Sequence, residues 1–88
     1  MKIKNGFIVR RVAGQNVALA TGEAGRDFNS MIKLNGTALD IWNGIDRGLS
    51  ETEIADLITE KYDVDAEKAL SDVKSFTARL SGLGIVED

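Results

Sequence analysis

The residues equipped for chemistry in this sequence are carboxylates and amines: 14 Asp and Glu and 11 Lys and Arg, with no His and no Cys. Without Cys there is no thiolate nucleophile, no thiolate zinc site and no disulfide. Without His, the usual general base near neutral pH and the commonest metal ligand are missing. Catalysis would rest on Asp, Glu, Lys and hydroxyls alone, and no spacing groups them as a reaction centre. Asp63-Val64-Asp65-Ala66-Glu67 begins like a calcium loop, but Lys68 stands where that loop requires Gly and Lys74 where it requires Glu. These carboxylates fit better as charges favoured by the dipole at a helix start. Thr21-Gly22-Glu23-Ala24-Gly25-Arg26 is Gly-rich but matches no phosphate loop. Asn35-Gly36-Thr37 is a glycosylation sequon, relevant only to a secreted chain. The expectation is a protein that is not an enzyme and needs no metal or cofactor.

The elements that would position these groups divide into a β-rich front and a helical back. Phe7-Ile8-Val9-Arg10-Arg11-Val12 is rich in β-branched residues and reads as a strand. Ala13-Gly14-Gln15 supplies a turn, and Asn16-Val17-Ala18-Leu19-Ala20 reads as the partner strand. Thr21 to Asn29 is a loop, and Ser30-Met31-Ile32-Lys33-Leu34 a third short strand. In it, Ile32 and Leu34 point to one face and Met31 and Lys33 to the other.

Behind these strands, Ala38, Ile41, Trp42 and Ile45 fall at i, i+3, i+4 and i+7, the stripe of a core-facing helix. Asn35 or Thr37 caps its start and Gly48 stands past its end. Ser50 and Glu53 form a capping box for a second helix, with Leu49 and Ile54 as its staple and Ile54, Leu57, Ile58 and Tyr62 inward. Asp65 caps a third helix with the stripe Ala66, Ala69, Leu70, Val73, Phe76, Leu80 and Leu83; Gly82 and Gly84 end it before an Ile85-Val86 tail.

With 88 residues there is room for one domain, residues 1–88, with strands over about 6–34 and helices over about 36–83. A chain this short is a poor host for a deep catalytic cavity. No apolar run approaches the roughly 20 residues of a membrane span, and the N-terminus lacks the apolar stretch of a signal peptide. A cytoplasmic protein is expected, without membrane contact. Residues 1–33 hold six basic and two acidic side chains, a net of +4, whereas residues 34–88 hold five basic and twelve acidic, a net of −7. The bland account is that the helices carry solvated acidic faces. The sharper one is that the basic strand region faces an acidic partner.

Three strands followed by three helices predict an α+β fold, a winged helix-turn-helix-like domain with a three-stranded antiparallel sheet. Such a shape often binds DNA. A DNA reader concentrates positive charge on its third helix, but here Asp65, Glu67 and Asp72 offset Lys68, Lys74 and Arg79. The second helix sets Glu51, Glu53, Asp56 and Glu60 against Lys61. No nucleic-acid partner is expected.

The segment from Leu34 to Trp42, LNGTALDIW, resembles the Leu-Asn-x-x-Gly/Ala-x-x-Ile-Trp signature of the pyrroloquinoline quinone synthesis protein D (PqqD-like) family. Gly48-x-Ser50-x-x-Glu53-Ile54 also matches, as does Asp72-Val73-x-x-Phe76-x-x-x-Leu80 running to Gly84-Ile85-Val86. The similarity covers nearly the whole chain. It departs at Ala38, where the family often has Gly, a change that a helix accommodates.

The resemblance implies a peptide chaperone, or RiPP recognition element, of the kind that serves pyrroloquinoline quinone biosynthesis and related pathways. Such proteins bind the leader of a ribosomally made precursor peptide and present it to a modifying enzyme, often of the radical SAM type. The leader adds as a strand beside the third strand and lies against the third helix. Carried over by position, this implies peptide contacts at Ser30, Met31, Ile32, Lys33 and Leu34, with Leu70, Val73, Lys74, Phe76 and Thr77 along the groove. Of these, Met31 and Lys33 stand out because they point away from the face of Ile32 and Leu34. The implied partners are the leader and the modifying enzyme, with the chain a monomer or weak dimer. The alternative is a regulatory or scaffold domain of the same shape that binds a protein surface, with a DNA-binding regulator ranked third.

Overall fold

A computed structural model of the chain describes residues 1–22 and 31–87. Its elements in chain order are β1 (Lys2–Ile3), β2 (Phe7–Val12), β3 (Gln15–Ala20), β4 (Ile32–Lys33), α1 (Gly36–Asp46), α2 (Glu51–Lys61), α3 (Ala66–Gly82) and β5 (Val86–Glu87). The expected α+β order is present: an antiparallel sheet, β2-β3-β4, followed by three helices. The loop expected over Thr21 to Asn29 and the start of the third strand at Ser30 lie largely outside the described residues.

The hairpin sets the phase of the whole sheet. β2 and β3 pair in step from Phe7↔Ala20 to Val12↔Gln15, leaving Ala13 and Gly14 as a two-residue turn. Both have positive φ, 51° at Ala13 and 80° at Gly14, the signature of a type I′ turn whose twist matches that of the strands. Glycine adopts this backbone freely, but Ala13 carries a Cβ into the left-handed region at a cost of about 1–2 kcal/mol. Because Ala13 is exposed, nothing is lost by changing it. Ala13→Asn, giving the favoured Asn-Gly pair, is expected to raise stability by about 1 kcal/mol, read as a higher urea midpoint with an unchanged slope.

One face of the sheet lies on the helices. Ala18, Ile32 and Leu34 are buried there, with Phe7 and Val9 packed against them, and the core continues through Ile41, Trp42, Ile45, Ile54, Ile58, Val73 and Leu80. The helices start as their caps dictate. Asn35 accepts from the Ala38 N–H at 2.8 Å, so Asn35 rather than Thr37 is the cap of α1. The Ser50 hydroxyl accepts from the Glu53 N–H at 3.1 Å while the Glu53 carboxylate accepts from the Ser50 N–H at 2.9 Å. The backbone bond to the carboxylate, aided by the Ser50 side chain, holds the Glu53 pKa below its ordinary value. Asp65 accepts from the Lys68 N–H at 2.8 Å. After α1, Gly48 and Leu49 donate back to the carbonyls of Ile45 and Gly44 at 2.9 and 3.0 Å, a Schellman stop. At Gly44 itself a Cβ would lie 2.6 Å from Cγ1 of Ile54, so the missing side chain sets how closely α1 and α2 cross.

Asp40 ties the end of α2 to α1: it accepts from the Tyr62 hydroxyl at 2.7 Å and from Lys61 Nζ at 3.1 Å. The hydrogen bond to Asp40, with burial adding to it, raises the Tyr62 phenol above its ordinary value, and the same carboxylate raises Lys61. A group whose folded pKa is raised stabilises the fold at lower pH. The contribution of the neutral phenol to this tie is therefore fully present at neutral pH and up to about pH 10, and is lost as pH climbs through the raised phenol value.

Three details differ from expectation. Leu57 is 42% exposed, because Ala55, Ile54 and Ile58 form the buried face of α2 and Leu57 falls at its margin. Ala66 and Leu83 are exposed, since Ala66 opens α3 and Leu83 is already its C-cap. The C-terminal tail is a strand: Val86 and Glu87 pair with Ile3 and Lys2, Lys4 donates to the Ile85 carbonyl at 2.7 Å, and Ile85 is fully buried. No helix of the described residues is long and apolar enough to cross a membrane.

Candidate functional site

Among the described residues β4 is one of the two edge strands of its sheet, and the hairpin decides which of its groups are free. A pair flanking a two-residue turn exchanges both backbone hydrogen bonds, and the pattern alternates from there. Val12↔Gln15 is that pair, so Gln15, Val17 and Leu19 turn their N–H and C=O toward β2, while Asn16 and Ala18 turn theirs toward β4. The Leu34 N–H accordingly donates to the Asn16 carbonyl at 2.8 Å, and Ile32, opposite Ala18, has the same sense. Met31 and Lys33 have the opposite sense. Their backbone groups point out of the sheet, and among the described residues no strand pairs with them.

Side chains follow the same alternation in cross-strand rows. Arg10, Val17 and Lys33 form one row and Ile8 and Leu19 the next. Met31, two residues before Lys33, shares the face of Lys33 by alternation, and this face is turned away from the helices. Met31 is 63% exposed, and Lys33 is exposed too.

Two depressions border the edge. One, of about 390 Å³, is lined by Gly14, Gln15, Asn16, Lys33, Leu34, Asn35 and Gly36. The other, of about 280 Å³, lies where β4 gives way to α1 and meets α3, lined by Asn35, Thr37, Ala38, Ile41, Asp72 and Phe76. A larger groove of about 720 Å³ runs between α1 and α2 past Leu57 and shares no lining residue with either.

The ten positions implied by the resemblance thus separate. Ser30 lies outside the described residues. Met31 and Lys33 present both backbone and side chain to the open edge. Ile32 and Leu34 are buried and bond toward β3. On α3, Phe76 is half-buried and joins the edge through the depression it shares with Asn35. Val73 is fully buried in the core. Leu70, Lys74 and Thr77 share the other flank of α3, at i, i+4 and i+7. That flank meets α2, for the Thr77 hydroxyl donates to the Glu51 carboxylate at 2.8 Å, with the Lys74 carbonyl 3.1 Å away. The sequence pattern missed Asn35, Thr37 and Asp72 as lining residues. Asp72 was legible as the i−4 neighbour of Phe76; its carboxylate pairs with Lys68 at 3.4 Å. Among the described residues no group of three or more Asp and Glu stands close enough to hold a metal ion.

Two solved structures share this architecture. TbiB1, in complex with the TbiA(beta) leader peptide, has a TM-score of 0.79 at 23% identity, over 99% of this chain and 95% of that one. Lasso peptide synthetase B1, complexed with the leader peptide, has a TM-score of 0.79 at 21% identity, over 99% of this chain and 96% of that one. At such identities the likeness is one of fold. No curated protein sequence matches the chain. The family model for coenzyme PQQ synthesis protein D (PqqD) matches residues 8–86, nearly the full length. The chain belongs to the PqqD family.

Proposed function

We propose that this protein is a cytoplasmic, non-catalytic peptide chaperone of one domain that binds the leader of a ribosomally made precursor and presents it to a modifying enzyme of the radical SAM type. The observation that carries this reading is the outward backbone of Met31 and Lys33 on an edge strand, beside a depression lined in part by Phe76. An open edge is normally a liability that folds cover or blunt. Kept open, it offers an extended peptide a row of hydrogen bonds, and neighbouring pockets select its side chains. Family membership and the leader peptides bound by two proteins of the same fold support the same conclusion.

The test is a titration of isotopically labelled protein with synthetic N-terminal segments of the short open reading frames beside the gene. One segment is expected to saturate at one equivalent, with amide shifts concentrated at Met31, Lys33 and Phe76. Shifts confined to the α1–α2 groove, or no saturation by any segment, would overturn the reading.

The charge of the helices gives a second check. On α3, Lys68 is engaged by Asp72, leaving only Lys74 and Arg79 for phosphates. Duplex DNA is expected to show no retardation at moderate salt with tens of micromolar protein, a concentration about the middle of the range of ordinary non-specific affinity. A sequence-specific shift at nanomolar protein would replace the peptide reading with a regulatory one.

A further inference from the structure

The outer face of the sheet carries chemistry that strand pairing alone does not use. Arg10 and Lys33 are the cations of one row, with Val17 between them. Ile8 and Leu19 pair in the next, which Met31 continues by alternation as an apolar band, and no carboxylate stands among these residues. Lys33 makes no ion pair among the described residues, and it is the sole ionisable side chain lining its depression. We infer that the β4 edge selects its peptide by side-chain type as well as by backbone: an acidic residue opposite Lys33 and a large apolar residue two positions away, opposite Met31. This rests on the leader-binding reading and says which leaders the edge accepts.

The register follows from the pleat. A strand added beside β4 extends each cross-strand row by one member, about 4.8 Å further out. The peptide residue opposite Lys33 continues the row Arg10–Val17–Lys33 and sits within reach of the ammonium. The residue opposite Met31 continues the row Ile8–Leu19–Met31. Between them, the residue opposite Ile32 turns to the helix side. So does the residue opposite Leu34, at the end of the edge where the Phe76 depression opens. Asp72 lines that depression and disfavours a second acid there. The acceptable pattern is therefore one acid with an apolar residue at a spacing of two, not a run of acids. With antiparallel addition, which continues the sense of β2, β3 and β4, the acid precedes the apolar residue in the peptide.

Selection of random 12-residue peptides by display on the wild-type protein and on Lys33→Glu tests this. The wild-type pool is expected to converge on Asp or Glu with an aliphatic or aromatic residue two positions on. The Lys33→Glu pool is expected to exchange that acid for Lys or Arg while keeping the apolar residue, and Met31→Asp to lose the apolar preference while keeping the acid. In calorimetry, one wild-type-selected peptide should bind Lys33→Glu about tenfold more weakly, the combined effect of losing an attraction and gaining a repulsion. Its Glu→Lys version should recover that loss on the variant. An unchanged acidic preference on Lys33→Glu would overturn the inference and leave the leader reading standing. Failure of the wild-type protein to enrich any peptide would overturn both.

Discussion

Trp42→Ala is expected to lower the unfolding free energy by about 3–5 kcal/mol, the range for truncating a large aromatic in a core. Trp42 is 3% exposed and sits in the buried cluster where α1 meets the sheet and α3. Its neighbours on the same stripe, Ala38, Ile41 and Ile45, are buried as well, so the vacated volume lies among side chains already fixed by their own packing. They relax into it only in part, which adds a cavity cost to the lost transfer energy. For a domain with about 5–15 kcal/mol in total, such a loss leaves a substantial unfolded population or a fold at its margin. Leu57→Ala provides the contrast on the neighbouring helix. With 42% of its surface exposed, it should cost under about 1 kcal/mol. Urea denaturation of the two variants decides the matter: a Trp42→Ala loss below that of Leu57→Ala would mean that the indole belongs to a binding surface rather than to the core.

The features that sequence made plain are those whose signal is local. The α1 stripe needed only the spacing of Ala38, Ile41, Trp42 and Ile45, and the caps at Ser50 and Asp65 only their own side chains and the next three residues. The alternation that buries Ile32 and Leu34 and exposes Met31 and Lys33 is likewise contained in five residues. The β1–β5 pair was out of reach because two-residue strands have no periodicity, and Lys2-Ile3 meets Val86-Glu87 across almost the whole chain. Leu57 was misplaced because a helical stripe has margins, and only the packing partner decides that Ala55 goes inward in its stead. The same limit applies on α3. Sequence gives the phase of Leu70, Lys74, Phe76 and Thr77 around the helix but not which flank meets α2 and which the β4 edge. The Thr77–Glu51 hydrogen bond and the depression that Phe76 lines settle that in space. The outward sense of the edge is an intermediate case. It follows from the two-residue turn at Ala13-Gly14 once the registers Val12↔Gln15 and Ala18↔Ile32 are known, and no single strand contains it.

That outward sense makes proline a discriminating probe of the edge. Lys33→Pro is expected to leave the domain folded and to abolish binding of the leader segment that the wild-type protein takes up, whereas Ile32→Pro is expected to unfold it. The two changes are adjacent and chemically alike, so the difference lies in where each N–H points. At Lys33 the lost donor faces away from β3, and the fixed φ of proline suits an edge strand whose outer side is unpaired. The preceding residue, Ile32, is already extended, as proline demands of its neighbour. At Ile32 the lost N–H faces β3 opposite Ala18, and the substitution also removes a buried side chain from the core. A broken ladder bond, steric conflict and a cavity together cost more than about 3 kcal/mol. Met31→Pro, of the same parity as Lys33, should behave like Lys33→Pro and separates loss of the backbone donor from loss of the lysine charge. Circular dichroism reports folding, and calorimetric titration with the leader segment reports binding. A folded Lys33→Pro that binds at full strength would place the peptide elsewhere than on β4. A folded Ile32→Pro whose binding is lost, beside a Lys33→Pro that retains it, would mean that the parity deduced from the hairpin is reversed.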